Sequence, residues 1–136
     1  MATVQPKYYK PFAAGFNLSA AGIAAASAAL DDKLFYNKSI EYNQLSRKTL
    51  IATLNELELE YVPSDTNSIL HRIGTPLADY AEHMQQNGIR VGRKMTLDDR
   101  LHRISLGTPH EMTIFTQTLK AFRQKGWIQT EINNKM

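Results

Sequence analysis

The segment from Leu101 to Met112 contains the residue whose type and setting best suit a chemical role, Arg103. Alternation along a strand would point Leu101, Arg103 and Ser105 to one face and the residues between them to the other. A guanidinium on the inner part of a strand is costly unless it meets an anion, and its planar fork binds a carboxylate through two hydrogen bonds. The pattern leaves two interpretations open: a carboxylate-binding arginine, or an edge-strand arginine that lies on the surface.

A capped helix is predicted directly after this strand. The strand ends near Gly107, and Thr108 to Glu111 form a capping box in which Pro109 occupies the first helical position. Apolar residues then recur at helical spacing until Gly126, at Met112, Phe115, Leu119 and Phe122.

Three further helices are predicted upstream. The first is rich in alanine, is capped by Ser19 and runs to about Leu30, and its composition suggests a buried helix. The second spans Lys38 to Leu57. The third starts at Thr75 and Pro76 and stops at Gly88. The second and third have apolar stripes made of Leu50, Leu54 and Leu57, and of Leu77, Tyr80, Ala81 and Met84.

Short strands alternate with these helices. They are predicted at Glu58 to Val62, Ser68 to Arg72, Ile89 to Gly92 and Leu101 to Leu106. The fold class is therefore α/β in the broad sense, an α+β two-layer sandwich with helices packed on a small mixed or antiparallel sheet. Residues 1–16 show no helical period and are predicted to be an extended lead-in, with one domain over residues 17–136.

Composition agrees with a single domain of 136 residues, 43% of them hydrophobic and 21% charged. The absence of cysteine excludes disulfides, thiol nucleophiles and cysteine metal sites, which fits an expected cytoplasmic location. No apolar run approaches the ~20 residues that a membrane span needs. The net charge of +3 is dispersed among acidic residues, so nucleic-acid binding is the least favoured function.

Several other chemistries find little support. The four histidines are scattered without a ligand spacing, so neither a metal site nor a histidine base is expected; they are His71, His83, His102 and His110. The pair Asp98 and Asp99 is interpreted as turn chemistry or as an ion pair with Arg93 or Arg100. There is neither a G-x-S-x-G elbow nor a glycine loop that could hold a phosphate.

Four motifs in order carry a resemblance to a known family. Arg103 to Met112 resembles an "R-I-S-x-G-T" strand and its final helix, and Pro63 to Asn67 resembles a "P-S-x-T-N-F" strand. Asn87 to Arg93 is similar to "G-I-x-V-G-R", and Lys10 to Asp31 looks like a segment that joins a large domain to a small one. The chain, from about Pro6 to Trp127, thus resembles the C-terminal small domain of histidinol-phosphate aminotransferases, which are pyridoxal-phosphate enzymes of fold type I.

The resemblance implies roles for three residues. Arg103 matches the arginine that binds the α-carboxylate of the substrate, and Asn67 matches an asparagine on the substrate-facing strand, although a turn asparagine also serves local backbone bonding. Arg93 matches a residue near the distal end of the substrate. Residues 94–99 replace a proline- and aromatic-rich stretch, however, and a solvated loop arginine is the alternative there.

The resemblance also implies what the chain would lack. The lysine that holds pyridoxal phosphate lies in the family's large domain, so no cofactor is expected on this chain alone. Its expected contribution is the carboxylate-binding arginine and a lid that closes over an amino acid or 2-oxo acid, with the large domain as partner. Histidinol phosphate and aromatic amino acids both remain possible substrates.

Two expectations concern association. An orphan small domain would instead be a carboxylate-binding or protein-interaction module without catalysis. The surface that faced a large domain would expose Phe12, Phe16 and the alanine helix, and it is expected to drive self-association.

Overall fold

The computed structural model describes residues 19–92 and 100–129, and the chain divides into two compact units, residues 1–38 and 39–136. In the first unit, helix α1 (Ala20–Asp31) is N-capped by Ser19, whose Oγ accepts from the Gly22 amide at 3.0 Å. No residue of α1 is buried, so the prediction of a buried helix is wrong. Alanine favours a helix by intrinsic propensity, and exposing its single methyl group costs little.

Helix α2 (Lys33–Glu56) starts earlier than the predicted Lys38 because Asp32 caps it. The Asp32 carboxylate accepts from the Phe35 amide at 2.9 Å. The helix ends where Glu58 adopts a left-handed conformation (φ 54°) and the Leu59 amide donates to the Leu54 carbonyl at 2.9 Å. That closure shortens the predicted strand from Glu58 to Val62 to β1 (Tyr61–Val62).

The sheet is antiparallel throughout and has the order β1-β2-β3 in the described residues. Strand β2 (Ser68–Arg72) has the predicted bounds, and β3 (Leu101–Ser105) ends one residue before the predicted Leu106. Together with the four described helices, this sheet confirms the predicted α+β class.

The predicted strand from Ile89 to Gly92 is wrong. Helix α3 (Leu77–Gln86) is followed by Gly88, which has a left-handed φ of 74°, and the Ile89 amide then donates to the Met84 carbonyl at 2.9 Å. Because this amide closes the helix, the segment leaves α3 in a turn and does not join the sheet. Its apolar side chains still pack against the core.

Helix α4 (Pro109–Gln124) has the predicted capping box. The Thr108 amide donates to the Glu111 carboxylate at 2.7 Å, and the Glu111 amide donates to the Thr108 hydroxyl at 3.4 Å. The predicted apolar stripe of this helix is buried.

The second unit has one apolar core on one face of the sheet. Cross-strand partners share a face, and Ile69 opposite Ile104 and His71 opposite His102 lie on the helix-covered side. The core residues are Leu50, Leu54, Leu57, Leu59, Ile69, Ile73, Leu77, Tyr80, Met84, Met112, Phe115, Leu119, Phe122 and Ile128. The helices of the second unit therefore pack on one side of the sheet, and Arg103 lies on the other.

Replacing Leu119 with alanine should destabilise the second unit strongly. Leu119 is fully buried, so truncation leaves a cavity and should lower the free energy of unfolding by about 2–5 kcal/mol. Ile114 of the same helix is 44% exposed, and Ile114→Ala is the matched control, expected within about 1 kcal/mol of the parent. Urea unfolding followed by fluorescence of Trp127, the only tryptophan, measures both. Equal losses would contradict the assignment of the core.

Candidate functional site

Arg103 lies in the middle of the edge strand β3, on the sheet face opposite the apolar core, called here the open face. By strand register and alternation, the open face consists of Val62, Ser68, Leu70, Arg72, Leu101, Arg103 and Ser105. Leu70 is opposite Val62 on β1 and opposite Arg103 on β3. A row across the three strands therefore runs from two apolar side chains to the Arg103 guanidinium. Arg103 is exposed and has no ion-pair or hydrogen-bond partner among the described residues.

A second arginine on the open face is already paired. Arg72 lies opposite Leu101 at the other end of the face, and its Nε lies 3.1 Å from Oε2 of Glu60. The two arginines share a face and a charge, but only Arg103 offers a guanidinium without a carboxylate. This difference makes Arg103 the candidate anion-binding residue and Arg72 its natural control.

Asn67 lies just before β2, at the end of the loop that starts at Pro63. Hydroxyl groups hold this loop: Ser64 Oγ accepts from the Thr66 amide at 3.1 Å, and Thr66 Oγ1 accepts from the Ser68 amide at 3.2 Å. The Asn67 side chain is exposed and makes no hydrogen bond within the described part of the chain. Hydroxyl side chains thus perform the local backbone bonding that was the alternative role for the asparagine.

Asn67 and Arg103 lie on neighbouring chain segments without touching. The Leu106 amide donates to the Asn67 carbonyl at 2.8 Å, whereas Arg103 is opposite Leu70. The two residues are three register positions apart, about 10 Å along the sheet. Any ligand that meets both must span that distance or meet a long arginine side chain reaching back along the face.

Other predicted site residues fall elsewhere. Arg93 lies outside the described residues, as do Asp98 and Asp99 and the predicted lead-in. The sequence predicted no metal site. Among the described residues, no group of three or more side chains that could bind a metal ion is found. No described helix is long and apolar enough to cross a membrane.

The described lysines do not form a site for pyridoxal phosphate. A Schiff-base lysine needs a sheltered amine beside groups that hold the cofactor. Lys120 is half-buried, but its Nζ is 2.6 Å from Oε2 of Glu56. The others are exposed: Lys33, Lys38, Lys48 and Lys125. The described part of the chain therefore does not fit the cofactor by itself.

The sequence pattern did not reveal a buried pair of histidines. His71 and His102 face each other across β2 and β3 with ring centroids 5.4 Å apart and rings nearly perpendicular, and the Tyr80 ring lies 5.2 Å from His102. All four imidazole nitrogens and the Tyr80 hydroxyl are buried without a hydrogen-bond partner in the described residues. Each histidine alternates with core isoleucines, a signal that could have placed both on the apolar face.

Burial keeps both imidazoles neutral. Loss of hydration, with a smaller contribution from the neighbouring His102, lowers the pKa of His71 to about 3. Loss of hydration also lowers the pKa of His102 to about 4. The same effect raises the pKa of Tyr80. These groups form a neutral polar cluster beneath the strand that carries Arg103, and protonating it opposes folding.

Comparison with known proteins assigns the class. The family model for class I and II aminotransferases matches residues 7–119. The chain therefore belongs to the class I and II aminotransferase family, whose members use pyridoxal phosphate. The small antiparallel sheet with helices on one face is thus the fold of an aminotransferase domain.

Within that family, the similar proteins are of the histidinol-phosphate type. A histidinol-phosphate aminotransferase from Symbiobacterium thermophilum is 31% identical over 82% of this chain and 31% of its own length. One from Dechloromonas aromatica is 35% identical over 77% of this chain and 29% of its own length. The chain spans about a third of the length of these relatives.

Solved structures agree. A protein assigned as a histidinol-phosphate aminotransferase from Erwinia carotovora atroseptica is 39% identical, with a TM-score of 0.79 over 87% of this chain and 34% of its own. The histidinol-phosphate aminotransferase from Sinorhizobium meliloti, solved with pyridoxal-5'-phosphate, has a TM-score of 0.69 at 23% identity, which supports the fold.

Acid should destabilise this fold through the histidine pair. The folded-state pKa values of about 3 and about 4 lie below the unfolded value of 6.5, so the unfolded chain binds more protons in this range. The contribution of the two neutral histidines to the free energy of unfolding is fully present above about pH 6.5 and is lost as the pH drops towards 4. At pH 5 the two groups together should cost about 4 kcal/mol. Unfolding by urea at pH 7, 6 and 5, followed by circular dichroism, measures the slope.

The control is an exposed histidine. His102→Gln should reduce the slope by about half, whereas His110→Gln should leave it unchanged because His110 is exposed. If His102→Gln and His110→Gln changed the pH dependence of the unfolding free energy equally, the buried pair would not be its cause.

Proposed function

We propose that this chain acts as the small domain of a histidinol-phosphate type aminotransferase and binds the substrate carboxylate through Arg103. One observation carries the proposal: in a member of this family, Arg103 stands exposed and unpaired on the open face, in the middle of β3. The function would be amino-group transfer between an amino acid and a 2-oxo acid, completed by a partner that covers this face.

The physical chemistry of the site suits a carboxylate. A guanidinium donates two parallel hydrogen bonds to the two oxygens, and the strand fixes the direction of the fork. Leu70 and Val62 lie beside it in the same row, so a bound amino acid would place its carboxylate on Arg103 and apolar atoms along the row. The unpaired Asn67 amide, just before the start of β2, would support the same ligand from the loop side.

The partner must supply the cofactor site, because the described residues do not fit it. When bound in that partner, pyridoxal phosphate would supply the electron-accepting ring that amino-group transfer requires. The contribution of this chain would be to bind and orient the carboxylate and to exclude water when the open face closes over the substrate. The relatives are about three times as long as this chain, a length that leaves room for both parts in one chain.

An exposed apolar surface in the first unit supports association. Leu30, Leu34 and Phe35 are 70%, 82% and 64% exposed, and Ile23 and Tyr36 add to the same unit. Such a concentration of large apolar side chains is typical of a surface that is covered in the assembled protein. We infer that, without a large domain, a second copy of the chain covers this apolar surface. Phe12 and Phe16, which were predicted to belong to it, lie outside the described residues.

The carboxylate role can be tested in a chimera. This chain replaces the matching third of the Erwinia relative, and the transfer of an amino group to a 2-oxo acid is followed at saturating pyridoxal phosphate. Arg103→Gln should raise KM for the amino acid roughly 10- to 100-fold, since a charge-assisted hydrogen-bond pair is lost. Arg72→Gln removes the same charge from the same face and should change KM less than about twofold, because its guanidinium bonds Glu60.

The outcomes separate the proposal from its alternative. Equal effects of Arg103→Gln and Arg72→Gln would refute the carboxylate role. A chimera that is inactive, while the free chain binds an amino acid in an Arg103-dependent way by NMR titration, would favour a carboxylate-binding module without catalysis.

The self-association can be tested with a paired substitution. Light scattering at high concentration should show the parent chain as an oligomer and the Leu30→Gln/Leu34→Gln variant as a monomer, because the exposed apolar area is reduced. Val62→Gln, which changes a 50% exposed apolar residue in the other unit, is the control and should remain an oligomer. A strictly monomeric parent would rule out this association.

A further inference from the structure

Two consecutive residues of α2 bind the chain segments that lead into β2 and out of β3. Ser46 is fully buried, and its Oγ donates to the Gly107 carbonyl at 2.7 Å. Arg47 donates through Nη2 to the Thr66 carbonyl and, at 2.9 Å, to Oδ1 of Asn43. Thr66 immediately precedes Asn67, and Gly107 follows the strand that carries Arg103. One helix turn thus anchors both chain segments at the end of the β2–β3 pair where Asn67 lies.

These bonds close a ring of contacts. Between the two anchored carbonyls, the Leu106 amide donates to the Asn67 carbonyl at 2.8 Å. The helix therefore fixes the start of β2, the end of β3 and, through them, the pairing between the two segments. A change in either anchor would shift the strand ends relative to each other, and Arg103 and Asn67 would move with them.

The far side of this ring is also fixed. A Cβ on Gly107 would lie 2.7 Å from Oε2 of Glu111, the same carboxylate oxygen that accepts from the Thr108 amide in the capping box. Gly107 is therefore held between α2, through Ser46, and the start of α4. The end of β3 has little freedom, which is what a strand that aims a ligand-binding side chain requires.

The Arg47 side chain also bears an energetic cost. Its Nε is buried and has no partner among the described residues, although a buried donor without a partner is unfavourable. A residue needed only to fill space would avoid that cost. The bond from Nη2 to the Thr66 carbonyl, 19 residues away, is the long-range contact that this side chain provides.

We propose that Ser46 and Arg47 are positioning residues that set the geometry of Asn67 and Arg103 towards a bound carboxylate. The proposal rests on the proposed function, in which those two residues bind the substrate. Ser46 and Arg47 do not touch the ligand; they act through the Thr66 and Gly107 carbonyls. Their loss should weaken the selection for a carboxylate before it weakens the fold.

The test uses the chimera described above and two matched pairs of variants. Arg47→Gln is compared with Lys48→Gln, which removes a charge from an exposed neighbour on the same helix. Ser46→Ala is compared with Thr49→Ala, which removes a hydroxyl bonded only within the helix, to the Leu45 carbonyl at 3.1 Å. The readout is the ratio of kcat/KM for an amino acid to kcat/KM for its methyl ester, which lacks the carboxylate.

Arg47→Gln and Ser46→Ala should each lower that ratio roughly tenfold, since small displacements of a positioned group are costly, while the two controls leave it unchanged. Arg47→Lys, which keeps one donor for the Thr66 carbonyl, should restore part of the ratio. In the free chain outside the chimera, Ser46→Ala should speed hydrogen exchange at the Leu106 amide relative to the parent, showing that the ring of contacts has loosened.

The outcomes are distinguishable. If Arg103→Gln lowers the ratio but neither Arg47→Gln nor Ser46→Ala does, the positioning role is wrong and the proposed function stands. If Arg103→Gln itself leaves the ratio unchanged, the proposed function and this inference both fall. Should Ser46→Ala fail to fold, as fluorescence of Trp127 would reveal, Arg47→Gln and Arg47→Lys decide the question because Arg47 is only half-buried.

Discussion

The antiparallel pairing of β2 with β3 is the constraint on which the other features depend. Register places Leu70 opposite Arg103 and His71 opposite His102, and a slip of one residue would exchange the two faces. Arginine would then enter the apolar core and histidine would reach the open face. The cost of burying an unpaired guanidinium makes this register strongly preferred. One interaction thus fixes both the core and the candidate site.

The core beneath Arg103 is unusual because it contains polar rings without partners. His71, His102 and Tyr80 contribute large ring surfaces to packing, yet the polar atoms of these rings are unsatisfied within the described residues. Packing area favours the folded state, whereas desolvation of the polar atoms opposes it. Protonating the imidazoles shifts this balance against folding, so the sheet that carries Arg103 should lose stability as the pH falls below about 6.5.

Local patterns predicted the elements of this fold better than its long-range contacts. Alternation in β2 and the capping box at Thr108 to Glu111 involve residues a few positions apart, and both are found as predicted. The strand predicted from Ile89 is absent because Gly88 turns the chain and the Ile89 amide bonds the Met84 carbonyl, so that this amide is not available to a strand ladder. The bond from Ser46 to Gly107 joins residues 61 positions apart, and no local pattern encodes it.

The candidate site likewise combines features that local patterns predict with features that depend on long-range contacts. Alternation predicted that Arg103 shares a face of β3 with Leu101 and Ser105, and the family motif singled out this arginine and Asn67. The distance between them could not be predicted, because it depends on which strands pair and in what register. The cross-strand approach of His71 and His102 was hidden for the same reason, although each lies in an apolar alternation.

Exposure of Arg103 limits what the chain can do without a covering partner. An ion pair in water contributes about 0–1 kcal/mol, because both charges remain hydrated and screened. The same guanidinium beneath a covering domain would act at a lower effective dielectric, where each hydrogen bond to a carboxylate is worth more. The strand geometry can therefore set the direction of binding, but its strength must come from exclusion of water. Selective carboxylate binding is thus a property of the assembled face, and covering that face is the physical step that turns a surface arginine into a binding site.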